Sequence, residues 1–353
     1  MGDVPANLSS PSGQQRPHET TSKVAPARGA RPRWPSARHY AALDLGTNNC
    51  RLLIARPQGK DGFAVVDAFS RIVRLGEGLA ASGRLSDAAI ERTIAALKIC
   101  ADKLKRRNVT LARSVATEAC RRASNGPEFI ERVHAETGIL LDIITAEEEA
   151  RLAVLGCHAL LEPGDGPALV FDIGGGSTEL VLLDASEPVP RVRAWHSAPW
   201  GVVSLTEAHG GGGSPAARAE AYARMRRVVT EAFAPFAARL ESDQHGHRLL
   251  GTSGTVTTLA SVHLELTSYD RSAIDGLIVP SAAMRAVSER LSRMSLEERG
   301  TVPCIGRERA DLVVAGCAIL ETILDLWPAE RLGIADRGIR EGILRRLMNG
   351  RVA

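Results

Sequence analysis

Asp44-Leu45-Gly46-Thr47-Asn48 and Asp172-Ile173-Gly174-Gly175-Gly176-Ser177-Thr178 are one arrangement written twice in a chain of 353 residues. Each closes a short apolar run, Ala41–Leu45 in the first copy and Ala168–Ile173 in the second. A second apolar run follows at once, Leu52–Ala55 and Leu180–Leu183. The pattern is a strand with an aspartate near its end, a glycine turn bearing hydroxyl or amide side chains, and a return strand. Glycine lets the backbone approach an anion, and successive N–H groups can form a concave nest for phosphate oxygens. Two copies predict two halves facing each other across one phosphate ester or anhydride.

Outward from each copy, strands and helices interleave, which predicts α/β layers. Adjacent strands joined by a short turn must run antiparallel, so a purely parallel sheet is excluded. Strands are expected at Tyr40–Leu45, Arg51–Arg56, Phe63–Phe69, Thr110–Ala116 and Ile139–Ile144, with helices at Ser86–Arg106, Thr117–Ala123, Pro127–Thr137 and Thr145–Leu161. The breaker-dense Pro163-Gly164-Asp165-Gly166-Pro167 is a natural junction. The second half is expected to continue with a flexible loop at Gly210–Gly213, a helix at Pro215–Leu240 and a strand at His247–Leu250. Then come a helix after Gly251-Thr252-Ser253-Gly254-Thr255, a helix at Ala310–Trp327, a short strand at Leu332–Ile334 and a helix at Gly338–Leu347. The expected organisation is a tail over 1–38, one domain over 39–165, a second over 166–335, and a C-terminal helix in 336–353 that packs back on the first domain. The tail is rich in Pro, Ser, Gly and Arg without hydrophobic periodicity, and reads as a disordered basic extension.

Composition limits the function. The net charge is only +3, so anion binding must be local, and 4% aromatics leave little for base-stacking platforms, so no specific nucleic acid is expected. Six cysteines without paired short spacing argue against a zinc site or disulfide framework and point to a reducing cytoplasm. No apolar run approaches the roughly 20 residues needed to span a bilayer.

Several side chains in these turns carry chemistry. Gly174–Gly176 is not a dinucleotide fingerprint, because Glu179 stands where the last glycine belongs and a strand follows; it is not a Walker A loop, because no Gly-Lys-[Ser/Thr] is present. A plain hairpin turn is the competing reading. Asp44 and Asp172, at strand ends, suit Mg²⁺ binding completed by substrate phosphate, or else cap their own turns. Ser253, Gly254 and Thr255 lie between a strand and a helix, where a helix N-terminus favours anions. Thr145 and Glu148 fit a capping box, and Glu147 suits the helix dipole. Glu149 instead faces Leu152, Ala153 and Gly156; an acid on that side is costly without a task, which suits a general base for water. Arg121 and Arg122 diverge by about 100° on a helix, so one of them points at the phosphate.

As a set, ALDLGTNNCRLLIA, ATEACRRASN, TGILLDIITAEEEARLAVLG, VFDIGGGSTELVL, GTSGTVTTLA and LGIADRGIREGIL resemble the exopolyphosphatase/guanosine pentaphosphate phosphatase family, from about Tyr40 to Leu347. The resemblance implies two ribonuclease-H-like domains of the actin/Hsp70/sugar-kinase superfamily with a phosphate cleft between them. It implies that Glu149 is catalytic and that Asp172 and Glu179 position Mg²⁺ and water. Asp44 would be the first-loop aspartate, Gly46, Thr47 and Asn48 the first phosphate turn, Gly174, Gly175, Gly176 and Ser177 the second, Arg121 the phosphate-gripping arginine, and Ser253, Gly254 and Thr255 a third phosphate contact. The expected substrate is inorganic polyphosphate or pppGpp, cut at its terminal anhydride with Mg²⁺. Thr47 stands where serine is common, which keeps the hydroxyl. The chain stops near the end of the second domain, without the helical extension of longer members, which favours short chains, pppGpp or nucleotides over long polyphosphate. A homodimer, a phosphotransferase of the same fold and a non-catalytic pppGpp or polyphosphate sensor stay open.

Overall fold

The computed structural model describes residues 38–59, 62–164, 167–184, 190–211, 213–239 and 248–350. The tail over 1–37, the junction at 165–166, part of the 210–213 loop and the segment 240–247, where a helix end and a strand start were expected, lie outside the described residues.

The first half runs β1 (His39–Leu45), β2 (Asn49–Gln58), β3 (Gly62–Ile72), α1 (Leu79–Ser82), α2 (Asp87–Arg106), β4 (Val109–Ala116), α3 (Glu118–Arg122), α4 (Gly126–Thr137), β5 (Leu141–Ile143) and α5 (Ala146–Cys157). The second runs β6 (Ala168–Ile173), β7 (Thr178–Asp184), β8 (Arg191–Ala198), α6 (Val202–His209), α7 (Pro215–Ala237), β9 (Arg248–Thr252), α8 (Ser253–His263), α9 (Arg271–Ile274), β10 (Ile278–Pro280), α10 (Ser281–Arg293), α11 (Leu296–Thr301), α12 (Val313–Leu326), β11 (Arg331–Ala335) and α13 (Ile339–Met348).

One sheet has the order β3-β2-β1-β4-β5 and the other β10-β11-β9-β6-β7-β8. In both, an antiparallel meander (β1-β2-β3; β6-β7-β8) continues into a parallel pair (β4 and β5; β9 and β11). The second sheet adds only the antiparallel edge strand β10. This is the ribonuclease-H-like arrangement twice over, the actin-like fold that the resemblance implied, with the two halves that the doubled hairpin predicted. Each sheet buries its own apolar cluster, with Leu43, Leu52, Ile94 and Phe129 in the first and Phe171, Phe233, Ile319 and Trp327 in the second.

Local chemistry sets the elements that frame the cleft. Ser86 caps α2 by accepting from Ala89 N–H, and Thr145 caps α5 by accepting from Glu148 N–H. Only half of the expected capping box forms there. The Glu148 carboxylate is drawn instead to Arg113 at 2.7 Å and Arg346 at 3.4 Å, because two guanidinium groups outbid one N–H. Gly138 ends α4 at φ 73, as a C-terminal glycine should. Helices α5 and α13 cross with no side chain between their backbones. A Cβ on Gly156 would lie 1.9 Å from Gly338 O, and one on Gly342 would lie 2.1 Å from Leu152 O. Helix α13 brings Ile339, Ile343 and Leu344 against Ala42, Leu53 and Val115 of the first sheet.

Candidate functional site

The two glycine turns superimpose in their hydrogen bonding. Gly46 N–H donates to Asn49 O and Gly174 N–H to Ser177 O, at 2.9 and 3.0 Å. The ladders then place Asp44 opposite Arg51 and Asp172 opposite Glu179. The turns also touch each other. A Cβ on Gly175 would lie 3.0 Å from Thr47 Cβ, and one on Gly176 would lie 2.6 Å from Thr47 Oγ1.

Between them lies a cleft of about 940 Å³, counting the open solvent at its mouth. It is lined by Asp44, Gly46, Thr47 and Asn48 from one side and by Asp172, Gly174, Gly175, Gly176 and Ser177 from the other; Ser253, Gly254 and Thr255 add a third wall and Glu149 a fourth. The structure thus gathers most of the expected site residues into one cavity. Its second wall is held from behind. Carbonyls of Gly174 and Gly175 accept from Val202, Val203 and Ser204 N–H at the start of α6, and Gly176 O accepts from Ser204 Oγ. With the carbonyls tied down, the N–H groups of Gly175 and Gly176 make no backbone hydrogen bond among the described residues. Asn48 Oδ1 is likewise buried without a partner. Unpaired polar atoms in a buried turn are costly, and an anionic or hydrated ligand is the natural complement.

The segment Gly251–Thr255 is not the loop expected from sequence. Gly251 and Thr252 complete β9, and α8 begins at once with Ser253 in the left-handed region, at φ 81. Thr252 Oγ1 bonds Arg337 O rather than capping α8, so the helix N-terminus opens on the cleft uncapped. Ser253 and Thr255 hydroxyls donate to Ile173 O and lock this turn to the second hairpin.

Two of the expected residues lie outside the cleft lining. Arg121 does not line the cleft, because its guanidinium is taken by Glu118, by Ile144 O and by Glu149 Oε2 at 3.0 Å. Glu179 lies behind the lining, fully buried, accepting from Ser177 Oγ at 2.6 Å and Ser197 Oγ at 2.9 Å. Two arginines missed by the sequence reading stand in the cleft instead, Arg51 and Arg309. Arg51 packs against Gly254, where a Cβ would come within 3.0 Å of its Nη2.

The electrostatics follow from burial. Desolvation pushes Asp172 up to about 6 and Glu179 up to about 7, with their mutual repulsion adding to the latter. Glu149 is raised well above the carboxylate range by burial first and by Glu179 second, against the pull of Arg121. Asp44 is raised by burial despite Arg51 and Arg340, and burial lowers Arg51 in turn. Among the described residues no three His, Cys, Asp or Glu side chains converge to hold a metal. The donor set nevertheless fits Mg²⁺, which is commonly held by one or two carboxylates with waters and substrate phosphates.

A bidentate ion pair spans the cleft margin. Arg74 Nη1 and Nη2 meet Asp311 at 2.8 and 3.1 Å, and Nη2 also donates to Glu308 O. Arg74 N–H donates to Asn48 O of the first turn, while Asp311 directly precedes the cleft-lining Leu312.

Paired actin-like sheets with two facing glycine turns and a buried acid at the cleft between them define the class: a protein of the actin-like fold with a cleft between its two sheets. Residues 53–350 match the Ppx/GppA phosphatase family, and the chain belongs to it. It is 33% identical over 315 residues to exopolyphosphatase 2 of Mycobacterium tuberculosis, covering 86% of this chain and 96% of that one. The crystal structure of the Aquifex aeolicus Ppx/GppA family member matches with a TM-score of 0.72 at 29% identity, covering 90% of this chain and 99% of that one. An exopolyphosphatase structure from Cytophaga hutchinsonii matches with a TM-score of 0.79 at 24% identity, over 89% of this chain and 98% of that one, and bears on the fold alone.

Proposed function

We propose that this protein is a Mg²⁺-dependent phosphoanhydride hydrolase that releases the terminal phosphate of inorganic polyphosphate, and of pppGpp to give ppGpp. The observation that carries the reading is the pair of hydrogen-bond-matched turns facing one cleft with the buried Glu149 carboxylate on its wall. The relative from Mycobacterium tuberculosis, named as an exopolyphosphatase, supports polyphosphate as substrate.

In this reading the terminal phosphoryl group sits between the two turns. The N–H groups of Gly175 and Gly176, the α8 N-terminus at Gly254 and Thr255, and the guanidinium groups of Arg51 and Arg309 hold its oxygens and stabilise developing charge. Thr47, Asn48 and Ser177 complete the cradle. Glu149 orients and deprotonates an in-line water. Burial and the neighbouring Glu179 raise its pKa, which makes it a stronger base than a free carboxylate. Asp44 and Asp172 would hold Mg²⁺, which supplies charge neutralisation at the anhydride; Glu179, behind Ser177, keeps that wall in register. Closure of the two lobes excludes bulk water.

Phosphate release from tripolyphosphate, long polyphosphate, pppGpp and ATP, with Mg²⁺ and with chelator, tests the proposal. Release from polyphosphate or pppGpp that chelator abolishes is expected. Acceptor-dependent transfer would identify a phosphotransferase, and binding without release a sensor. Six free cysteines, five of them buried, favour a reducing compartment such as the cytoplasm. No helix among the described residues is long and apolar enough to cross a membrane.

A further inference from the structure

Glu118 has no part in the scheme above. It opens α3, its side chain is only 14% exposed, and it lines the cleft. Its Oε2 accepts from Arg121 Nε at 3.1 Å and Nη2 at 2.6 Å. The opposite arm of Arg121 donates through Nη1 to Ile144 O at 2.8 Å and to Glu149 Oε2 at 3.0 Å. A guanidinium has five N–H donors, and these four bonds leave one. Arg121 is therefore a bracket between two carboxylates rather than a bidentate phosphate clamp. Burial alone would lower its pKa, yet Glu149 and Glu118 outweigh burial and raise it.

Glu118 also stands where the two phosphate turns meet. A Cβ on Gly176 would lie 2.9 Å from Glu118 Cγ. A carboxylate at that junction repels an incoming phosphate. The same carboxylate fixes Arg121, which pairs with Glu149 at 3.0 Å, and a base works only when its geometry is held.

We propose that Glu118 is a positioning residue: through Arg121 it fixes the carboxylate of Glu149 toward the cleft, and in doing so weakens the hold on an anionic substrate. The proposal rests on the reading of Glu149 as the base. Loss of the grip and loss of the charge then have separable signatures. In Glu118→Ala, kcat on tripolyphosphate falls by roughly 10- to 100-fold as Glu149 loses its support, while KM falls several-fold with the charge. In Glu118→Gln, a neutral oxygen still accepts from Arg121, so kcat recovers in part while KM stays low. An unchanged kcat in Glu118→Ala overturns the proposal. So does a fall in kcat with a rise in KM, the pattern of a generally loosened site.

A stability cycle gives a second test that needs no turnover. Glu118→Ala, Glu149→Gln and the double variant are unfolded in denaturant, in the parent chain and in Arg121→Leu. The expected coupling between positions 118 and 149 is several-fold in the unfolding equilibrium with Arg121 present, and none in Arg121→Leu. Absence of coupling in the parent chain overturns the proposal. A parent chain that releases no phosphate, yet shows the coupling, overturns the hydrolase reading and leaves the row of three side chains standing.

Discussion

At the scale of single residues, the acids in and behind the cleft sit in a field that opposes their own ionisation, and this has a measurable sign. Glu179 is raised from 4.5 to about 7 and Asp172 from 3.8 to about 6, burial being the main cause in each. The folded protein holds these protons more tightly than the unfolded chain. Their stabilising contribution is full below about pH 4 and is lost as pH rises through about 6 and then 7. Glu179→Gln keeps an acceptor for Ser177 and Ser197 but removes the charge. Its Tm is expected to match the parent near pH 4.5 and to exceed it increasingly up to about pH 7, with a constant gain above; thermal unfolding between pH 4.5 and 8.5 checks this. At Glu149 the expected effect is on turnover. Glu149→Gln should lower kcat by about 10²–10⁴ with little change in substrate affinity, as seen in initial-rate kinetics. Much of this site was readable in the chain, because the doubled turn announces itself. Arg51 was not read, though the signal was present: a four-residue turn closed by Leu45 and Cys50 sets Arg51 opposite Asp44. Arg309 had no such signal. It lies in a loop before α12, and only tertiary packing brings that loop to the cleft.

At the scale of elements, the crossing of α5 and α13 brings two helix backbones together at glycines. Gly342→Ala and Gly156→Ala would each force a methyl group into a carbonyl, at 2.1 and 1.9 Å. Each is expected to destabilise by about 1–3 kcal/mol or more, since neither helix backbone can yield as a flexible side chain can. Chemical denaturation measures the loss, and Ala159→Gly in the nearby helical turn should not reproduce it. The elements that sequence reading found are those with strong local punctuation, such as α2 behind Ser86 and α4 before Gly138. Missed elements divide into two kinds. Helix α10 carried a helical signal that went unread, with buried Met284, Val287 and Leu291 at helical spacing. Strand β8 carried none. It is partly exposed along most of its length, and its Arg191-Val192-Arg193 start lacks a buried side to reveal it. The strand expected over Ile139–Ile144 shrinks to Leu141–Ile143, an edge strand of the first sheet whose exposed Asp142 and Ile143 give it little to bury.

At the scale of the whole molecule, the Arg74–Asp311 pair couples directly to both cleft walls. Each partner is about one-third exposed, so the pair is worth little in global stability, on the order of 0–1 kcal/mol. Its loss should appear as local opening. Arg74→Ala is expected to leave the unfolding midpoint nearly unchanged while hydrogen exchange accelerates over residues 73–79 and 306–313, with the difference shrinking at high salt. Glu207 accepts Gly78 N–H at 2.9 Å from across the same margin, so partial register of the lobes is expected to survive in Arg74→Ala.

The abutting turns have a further consequence. Where Gly175 and Gly176 meet Thr47, the gap between the lobes is narrower than one methyl group. Replacing Gly176 with alanine would therefore act as a shim, pressing on Thr47 and Glu118 and propping the jaws apart by a fraction of an ångström. Such a variant would hold the jaws ajar, and small-angle scattering or crystallography with and without added polyphosphate could measure by how much.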